Sequence, residues 1–158
     1  MSGVQLSPAW DRYMKNKESR DGKGSPALSA YMPTPKDRPT IGWGHTKGVK
    51  MGDVATVEQC EAWWAEDIAK AVASVAGLSL RSPRKLTQSM IDALISLVYN
   101  VGPGSVKEGS TVGDAIRNGA PYLACAGFFL WRKQSGADLR GLALRRAEEM
   151  ARFLGEPF

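Results

Sequence analysis

The most informative segment of this chain reads Pro39-Thr40-Ile41-Gly42-Trp43-Gly44-His45-Thr46. Thr40, Ile41 and Trp43 favour an extended strand. Gly42 and Gly44 leave alternate positions without side chains, so one face of the strand lets another backbone or a ligand approach closely. A bare face of this kind suits a polysaccharide, and the segment therefore predicts the wall of a sugar-binding site.

A β-hairpin is predicted around this segment. Residues 28–32 read Leu-Ser-Ala-Tyr-Met and form the first strand candidate. Residues 33–39 contain three prolines, each of which lacks a backbone donor, and they therefore form a turn. The first strand, the turn and the strand at 40–43 make a hairpin, which is the only β structure that the sequence indicates.

Helices account for most of the remaining chain. A Ser-Pro pair starts a first helix that ends near Glu18, before an exposed loop at 19–26. Thr56 caps a long connecting helix, and the helix at 88–100 is apolar nearly all round, as expected of a central buried helix. The predicted helices cover residues 7–18, 56–76, 88–100, 111–118, 121–129 and 138–154. The predicted fold class is α+β and mostly helical.

Length and composition are those of one soluble globular domain, residues 1–158. The hydrophobic share is 43% and the charged share 23%, which disfavours disordered and fibrous classes. No run approaches the roughly 18 apolar residues of a membrane span, and residues 1–8 lack the apolar core of a signal peptide. We therefore expect the protein to be kept in the cytoplasm. Cys60 and Cys125 are expected to be free, buried thiols, because cytosolic thiols are kept reduced.

Glu18 is the natural candidate for a catalytic acid. Hydrolysis of a glycosidic bond needs one group that protonates the leaving oxygen and a second polar group that stabilises the sugar cation or activates water. Residues 1–40 contain no other glutamate, and their aspartates are Asp11, Asp21 and Asp37. A solvated glutamate at a helix end is the alternative interpretation.

A series of motifs runs along nearly the whole chain, from about Trp10 to Leu154. The helix that ends in glutamate and the segment at 39–46 belong to it, and the other members are Leu28-Ser29-Ala30-Tyr31, Leu86-Thr87-Gln88, Asp92-Ala93-Leu94, Asn100-Val101-Gly102, Ser110-Thr111, Trp131, Gly141-Leu142 and Arg145-Arg146-Ala147-Glu148. In this order and spacing the motifs resemble those of phage lysozymes (endolysins) of glycoside hydrolase family 24.

The resemblance implies a lysozyme-like fold, with a small hairpin lobe (about 19–55) and a helical lobe (7–18 and 56–158) on either side of a cleft. It implies a muramidase that cuts the β-1,4 bond between N-acetylmuramic acid and N-acetylglucosamine in peptidoglycan and so lyses the host cell. No metal or organic cofactor is expected.

The family's catalytic set, a glutamate, an aspartate and a threonine, is matched only in part. Glu18 and Thr40 match it by motif. The family's aspartate lies two residues beyond the strand tyrosine, where this chain has Pro33. Asp37 is the predicted replacement, and Asp21, or no carboxylate at all, is the alternative.

Four further residues are candidates for substrate binding. Trp43 is expected to line the cleft, since aromatic rings pack on sugar faces, and Gly42 belongs to the bare strand face. His45 is expected to hold the hairpin by a hydrogen bond to its own turn or to the catalytic glutamate, with a general base as the alternative. Asn100 contacts the substrate or caps its helix, and the sequence does not separate these roles.

The charge pattern bears on partners. The net charge is +5, and basic residues cluster in the last third of the chain. Because no nucleic-acid-binding signature accompanies them, we expect attraction to anionic peptidoglycan and envelope lipids rather than specific nucleic-acid binding. The full hypothesis is a monomeric endolysin that stays in the host cytoplasm until the membrane is permeabilised and then attacks the wall from the periplasm. The alternative is a catalytically impaired peptidoglycan-binding or phage structural module.

Overall fold

The computed structural model describes residues 3–134 and 136–155. Its regular elements are α1 (Pro8–Glu18), β1 (Ala27–Tyr31), β2 (Thr40–Gly42), α2 (Val57–Ser79), α3 (Gln88–Val101), α4 (Thr111–Arg117), α5 (Pro121–Phe128), β3 (Lys133–Gln134), β4 (Ala137–Asp138) and α6 (Arg140–Phe153). Short 3-10 turns lie at Pro103–Ser105 and Phe129–Trp131. The mostly helical α+β class is confirmed.

The chain groups into two compact units. One is Pro8–Ala69, and the other joins the residues before Pro8 to those after Ala69. The boundary falls inside α2, so α1 and the first half of α2 group with the hairpin, whereas the sequence placed them in the helical lobe. The physical reason is packing, since Gly42 and Trp43 contact Cys60 and Trp64 on that half of α2.

The hairpin of the first unit is confirmed, with one irregularity and one addition. Its strands are antiparallel, with Tyr31 opposite Thr40 and Ala27 opposite Gly42, and β1 bulges between these two pairs. The other edge of β1 is also occupied, because Ser29 pairs with Val54. The sequence did not predict this partner, since a single bridge lacks the alternating pattern of a strand.

Capping residues define the starts of α2, α3 and α4 at the positions that the sequence predicted. The Thr56 amide donates to Gln59 Oε1 at 2.8 Å and the Gln59 amide donates to Thr56 Oγ1 at 3.2 Å, a reciprocal capping box. Thr87 and Ser110 accept in the same way from amides three residues on, at the starts of α3 and α4. These starts are confirmed, and α2 runs three residues further than predicted.

The core of the second unit surrounds α3. Every residue of α3 from Asp92 to Val98 is buried, and α6 packs against it. The ring of Phe128 on α5 meets that of Phe153 on α6 edge-on, with ring centroids 5.5 Å apart. The prediction of a central buried helix is confirmed.

The small antiparallel pair of β3 and β4 corrects two expectations. Lys133 pairs with Asp138, and Gln134 with Ala137. The first hairpin is therefore not the only β structure, and α6 begins at Arg140 rather than at 138. Two-residue strands carry no periodicity that a sequence pattern can show. In the described part of the chain, no helix is both long and apolar enough to cross a membrane.

Candidate active site

Glu18 is the last residue of α1, and the loop that follows it is tightly bonded. Ser19 is buried, and its hydroxyl donates to the Asn16 carbonyl and accepts from the Gly24 amide, both at 2.9 Å. Gly24 has φ +93°, and a Cβ there would lie 2.5 Å from Asn16 Oδ1. Ser19 therefore closes the loop against the helix end and fixes the direction in which the chain leaves Glu18.

Trp43 ties this loop to the hairpin. Its indole Nε1 donates to the Gly24 carbonyl at 2.8 Å. The same ring meets Trp64 edge-on, with centroids 6.0 Å apart, and lies beneath the Lys15 ammonium, which is 4.4 Å from its centroid. Trp43 is 5% exposed, so it supports the site from within the unit. Burial argues against the predicted sugar contact.

Tyr31 pairs with Thr40 and contacts the loop that follows Glu18. Tyr31 is opposite Thr40 in the hairpin, and the Arg20 guanidinium lies 4.9 Å from its ring centroid. The pKa of the Tyr31 hydroxyl is raised, chiefly by burial; the Arg20 charge opposes the rise and the Glu18 carboxylate adds to it. Tyr31 therefore links Thr40, its partner in the hairpin, to Arg20 in the loop after Glu18, and it lies within range of the Glu18 charge.

Thr40 is buried, and its hydroxyl has a defined orientation. Its Oγ1 donates to the Arg38 carbonyl at 2.9 Å. With its hydrogen committed to that bond, the hydroxyl oxygen is an acceptor. Thr40 Oγ1 is therefore suited to bind a water molecule by accepting one of the hydrogens of that water.

The two candidate aspartates occupy different loops. Asp37 is exposed at the end of a turn closed by its own amide, which donates to the Thr34 carbonyl at 3.1 Å. Asp21 is exposed in the loop after Glu18, and its Oδ1 accepts from the Lys23 amide at 2.9 Å. This backbone hydrogen bond lowers the pKa of Asp21 and keeps the carboxylate ionised.

Gly42 ends the second strand instead of lying within it. Its φ is +65°, and Ile41 and His45 exchange two backbone hydrogen bonds of 2.9 Å around it, which makes a tight turn. A Cβ on Gly42 would lie 3.4 Å from Cys60 Sγ. The strand prediction through Trp43 is wrong, because the glycines provide the positive φ of a turn. The bare side of Gly42 faces α2, which argues against its predicted contact with sugar.

His45 holds the hairpin, as the sequence indicated, but through a partner that the sequence did not identify. Its Nδ1 lies 2.8 Å from Oδ2 of Asp67 on α2, and its ring stacks on that of Trp63 with centroids 4.9 Å apart. His45 is 6% exposed. The position of His45 favours a role in joining the turn to α2. It argues against direct contact with sugar and against a role as general base.

Asn100 belongs to the second unit. Its Oδ1 accepts from Arg146 Nη2 at 3.0 Å, and α3 is capped instead by Gly102, whose amide donates to the Val98 carbonyl. The capping alternative is therefore wrong. The fixed Oδ1 orients the amide group, whose nitrogen is a donor.

Both cysteines are free and buried, as predicted. Burial raises the pKa of both thiols, and the neighbouring Glu61 carboxylate adds to the rise at Cys60. Within residues 3–134 and 136–155, no three His, Cys, Asp or Glu side chains cluster as a metal site would require.

The sequence did not predict Arg20 and Tyr31 as residues of the site. Arg20 could have been proposed from the sequence, since it lies only two residues after Glu18. Tyr31 was placed on the first strand, but its proximity to Thr40 depends on the pairing register, which the bulge in β1 makes unreadable from the sequence.

Comparison with known proteins defines the family. The family model described as Phage lysozyme matches residues 25–149. The endolysin of Bacillus phage PZA is 36% identical over 152 residues, which cover 95% of this chain and 55% of that protein. The endolysin of Salmonella phage P22 is 39% identical over 132 residues, which cover 80% of this chain and 86% of that protein. This chain belongs to the phage lysozyme family.

A solved structure supports the same assignment. The endolysin from Escherichia coli O157:H7 phage FAHEc1 matches with a TM-score of 0.78 at 29% identity, over 98% of this chain and 97% of that one. The lysozyme-like fold is therefore confirmed. Lengths vary among the relatives, and this chain spans about half of the Bacillus phage PZA endolysin.

Proposed function

We propose that this chain is an endolysin that hydrolyses the β-1,4 bond between N-acetylmuramic acid and N-acetylglucosamine in bacterial peptidoglycan. The observation that carries the proposal is that Tyr31, which pairs with Thr40 across the hairpin, contacts Arg20 in the loop that directly follows Glu18. Glu18 and Thr40 are the residues that the family motif assigns to the acid and the threonine. Membership of the phage lysozyme family supports peptidoglycan as the substrate.

In the proposed mechanism, Glu18 protonates the oxygen of the leaving sugar while the glycosidic bond breaks. Positive charge then develops on the sugar ring and is stabilised by the second catalytic carboxylate, for which Asp37 is the candidate. Thr40 Oγ1 accepts a hydrogen from the attacking water, which this carboxylate deprotonates.

Gly42, Trp43 and His45 are proposed to position the catalytic hairpin and not to bind sugar. Each is buried and contacts α2 or the loop after Glu18. Asn100 stays a prediction for substrate contact, because its amide nitrogen remains a donor for an acetamido carbonyl. No metal or organic cofactor is proposed.

The test is a lysis assay on Gram-negative cells combined with analysis of the glycan ends released. We expect turbidity to fall with the appearance of new reducing muramic acid ends, and only after the membrane has been permeabilised, because the proposal keeps the enzyme in the host cytoplasm. Lysis of intact cells that produce this chain alone would contradict the cytoplasmic step. Tight binding to sacculi without new ends would support the impaired module, which Pro33 favours.

The second catalytic carboxylate can be identified by substituting Asp37 and Asp21 separately. We expect Asp37→Asn to lower the rate of reducing-end release about 100-fold, as for loss of a general base. Asp21→Asn is the matched control and should stay within about threefold, because its carboxylate is already bonded to the Lys23 amide. The opposite ranking would assign the role to Asp21, and two small effects would mean that neither carboxylate takes part.

A further inference from the structure

An unusual exposed face lies on α5 and the 3-10 turn that follows it. Tyr122 is 81% exposed, Leu123 57%, Phe129 41% and Leu130 59%. Ala126 is also exposed and lies between them. At 100° per residue these five positions fall within one stripe of about 120°, and none of them is polar apart from the Tyr122 hydroxyl. We call this stripe the α5 apolar face.

The opposite side of α5 is locked into the core of the second unit, so the apolar face cannot turn inward. Ala124, Cys125, Gly127 and Phe128 are buried. A Cβ on Gly127 would lie 3.0 Å from Val112 Cγ2, which shows how closely α5 approaches α4. A helix that is apolar on both sides normally has both sides covered. The α5 apolar face therefore has the composition of a contact surface.

The charges beside this face are cationic. Between residues 118 and 140 the basic residues are Arg132, Lys133 and Arg140, and the only acid is Asp138. The Arg132 guanidinium lies 4.6 Å from the Phe129 ring centroid and 3.4 Å from Asp138. Lys133 and Arg140 are exposed. An apolar stripe with one guanidinium over its Phe129 ring, followed in the chain by further exposed basic side chains, is the pattern of a surface that lies in the headgroup region of an anionic bilayer.

We propose that the α5 apolar face docks onto anionic phospholipid membranes. The sequence predicted attraction to envelope lipids from net charge alone; the structure supplies the apolar surface that would enter the interface. A second copy of the chain fits the face less well. A two-fold symmetric dimer would place the same basic edge on both sides of the contact, without acidic partners.

The experiment is co-sedimentation of the full chain with vesicles of phosphatidylglycerol and phosphatidylethanolamine, compared with phosphatidylcholine vesicles. Leu123→Gln/Leu130→Gln removes apolar contact without changing charge. Leu80→Gln/Leu154→Gln is the matched control, since both leucines are exposed outside the face. Lys133→Gln/Arg140→Gln tests the basic edge, with Arg81→Gln/Lys107→Gln as its control. Thermal melts confirm that each variant is folded.

We expect the wild type to bind anionic vesicles at least 10-fold more tightly than neutral ones. The face variant and the edge variant should each weaken this binding about 10-fold, and both controls should stay within twofold. Equal loss in face and control variants, or no preference for anionic vesicles, would overturn the proposal. So would a dimer in sedimentation equilibrium that the face variant abolishes. Hydrolysis of purified, lipid-free sacculi should be the same in all variants, which separates this proposal from the proposed activity.

Discussion

Glu18→Gln is expected to reduce the release of reducing ends from purified peptidoglycan by about 10³-fold, within the range for loss of a general acid. Glutamine has nearly the same shape as glutamate but cannot donate a proton to the leaving oxygen. The side chain lies at the end of α1, before the loop that carries Arg20. Because it is only half-buried, the substitution should leave the melting temperature within a few degrees.

The matched control for this substitution is Glu108→Gln, which removes an equal charge from an exposed position in the second unit. Its rate should stay within about twofold of wild type. Binding to sacculi separates chemistry from recognition, and Glu18→Gln should retain it. Normal activity in Glu18→Gln would remove the basis of the proposed function, since the acid would have to be another group.

The helices were predictable because their signals are local. Capping residues at Thr56, Thr87 and Ser110 and the apolar composition of 88–100 give element starts and burial without reference to any distant residue. The structure moves the end of α2 from 76 to Ser79 and the start of α6 from 138 to Arg140, because propensities change gradually there and no strong boundary signal exists.

The sequence names candidate residues for the site but does not give their geometry. Glu18 and Thr40 followed from the family motif, whereas the pairing of Tyr31 with Thr40 depends on a bulged register. The glycines were misread because positions 42 and 44 fit both a bare strand face and a turn. The positive φ that decides between these comes from the tight pairing of Ile41 with His45. Asp67, the partner of His45, lies 22 residues away on α2, and no local pattern identifies it.

The largest effect on stability is expected at the buried ionic cluster between α3 and α6. Arg146 and Glu149 are both completely buried, with 2.6 Å between Arg146 Nε and Glu149 Oε2. Glu149 Oε1 also accepts from Ser96 Oγ at 2.6 Å. Arg146 donates further to Asn100 Oδ1 and to the Trp131 carbonyl. The cluster thus joins the α3 end that carries Asn100 to α6.

Glu149→Leu should lower the free energy of unfolding by about 3–5 kcal/mol, because it leaves the buried guanidinium groups of Arg146 and Arg145 without the carboxylate that both contact. For a chain of this size, that corresponds to a fall in melting temperature of about 10 °C. Glu108→Leu, at an exposed position, is the control and should change the free energy by less than about 0.5 kcal/mol. The double variant Arg146→Leu/Glu149→Leu should be more stable than Glu149→Leu, since it removes the completely buried one of the two guanidinium groups that Glu149→Leu leaves uncompensated; Arg145 keeps its charge in both variants. If the double variant instead lost the sum of the two single effects, the guanidinium would contribute mainly through Asn100 and Trp131, and the ion pair would not be the dominant contact. Chemical denaturation monitored by circular dichroism measures all of these differences directly.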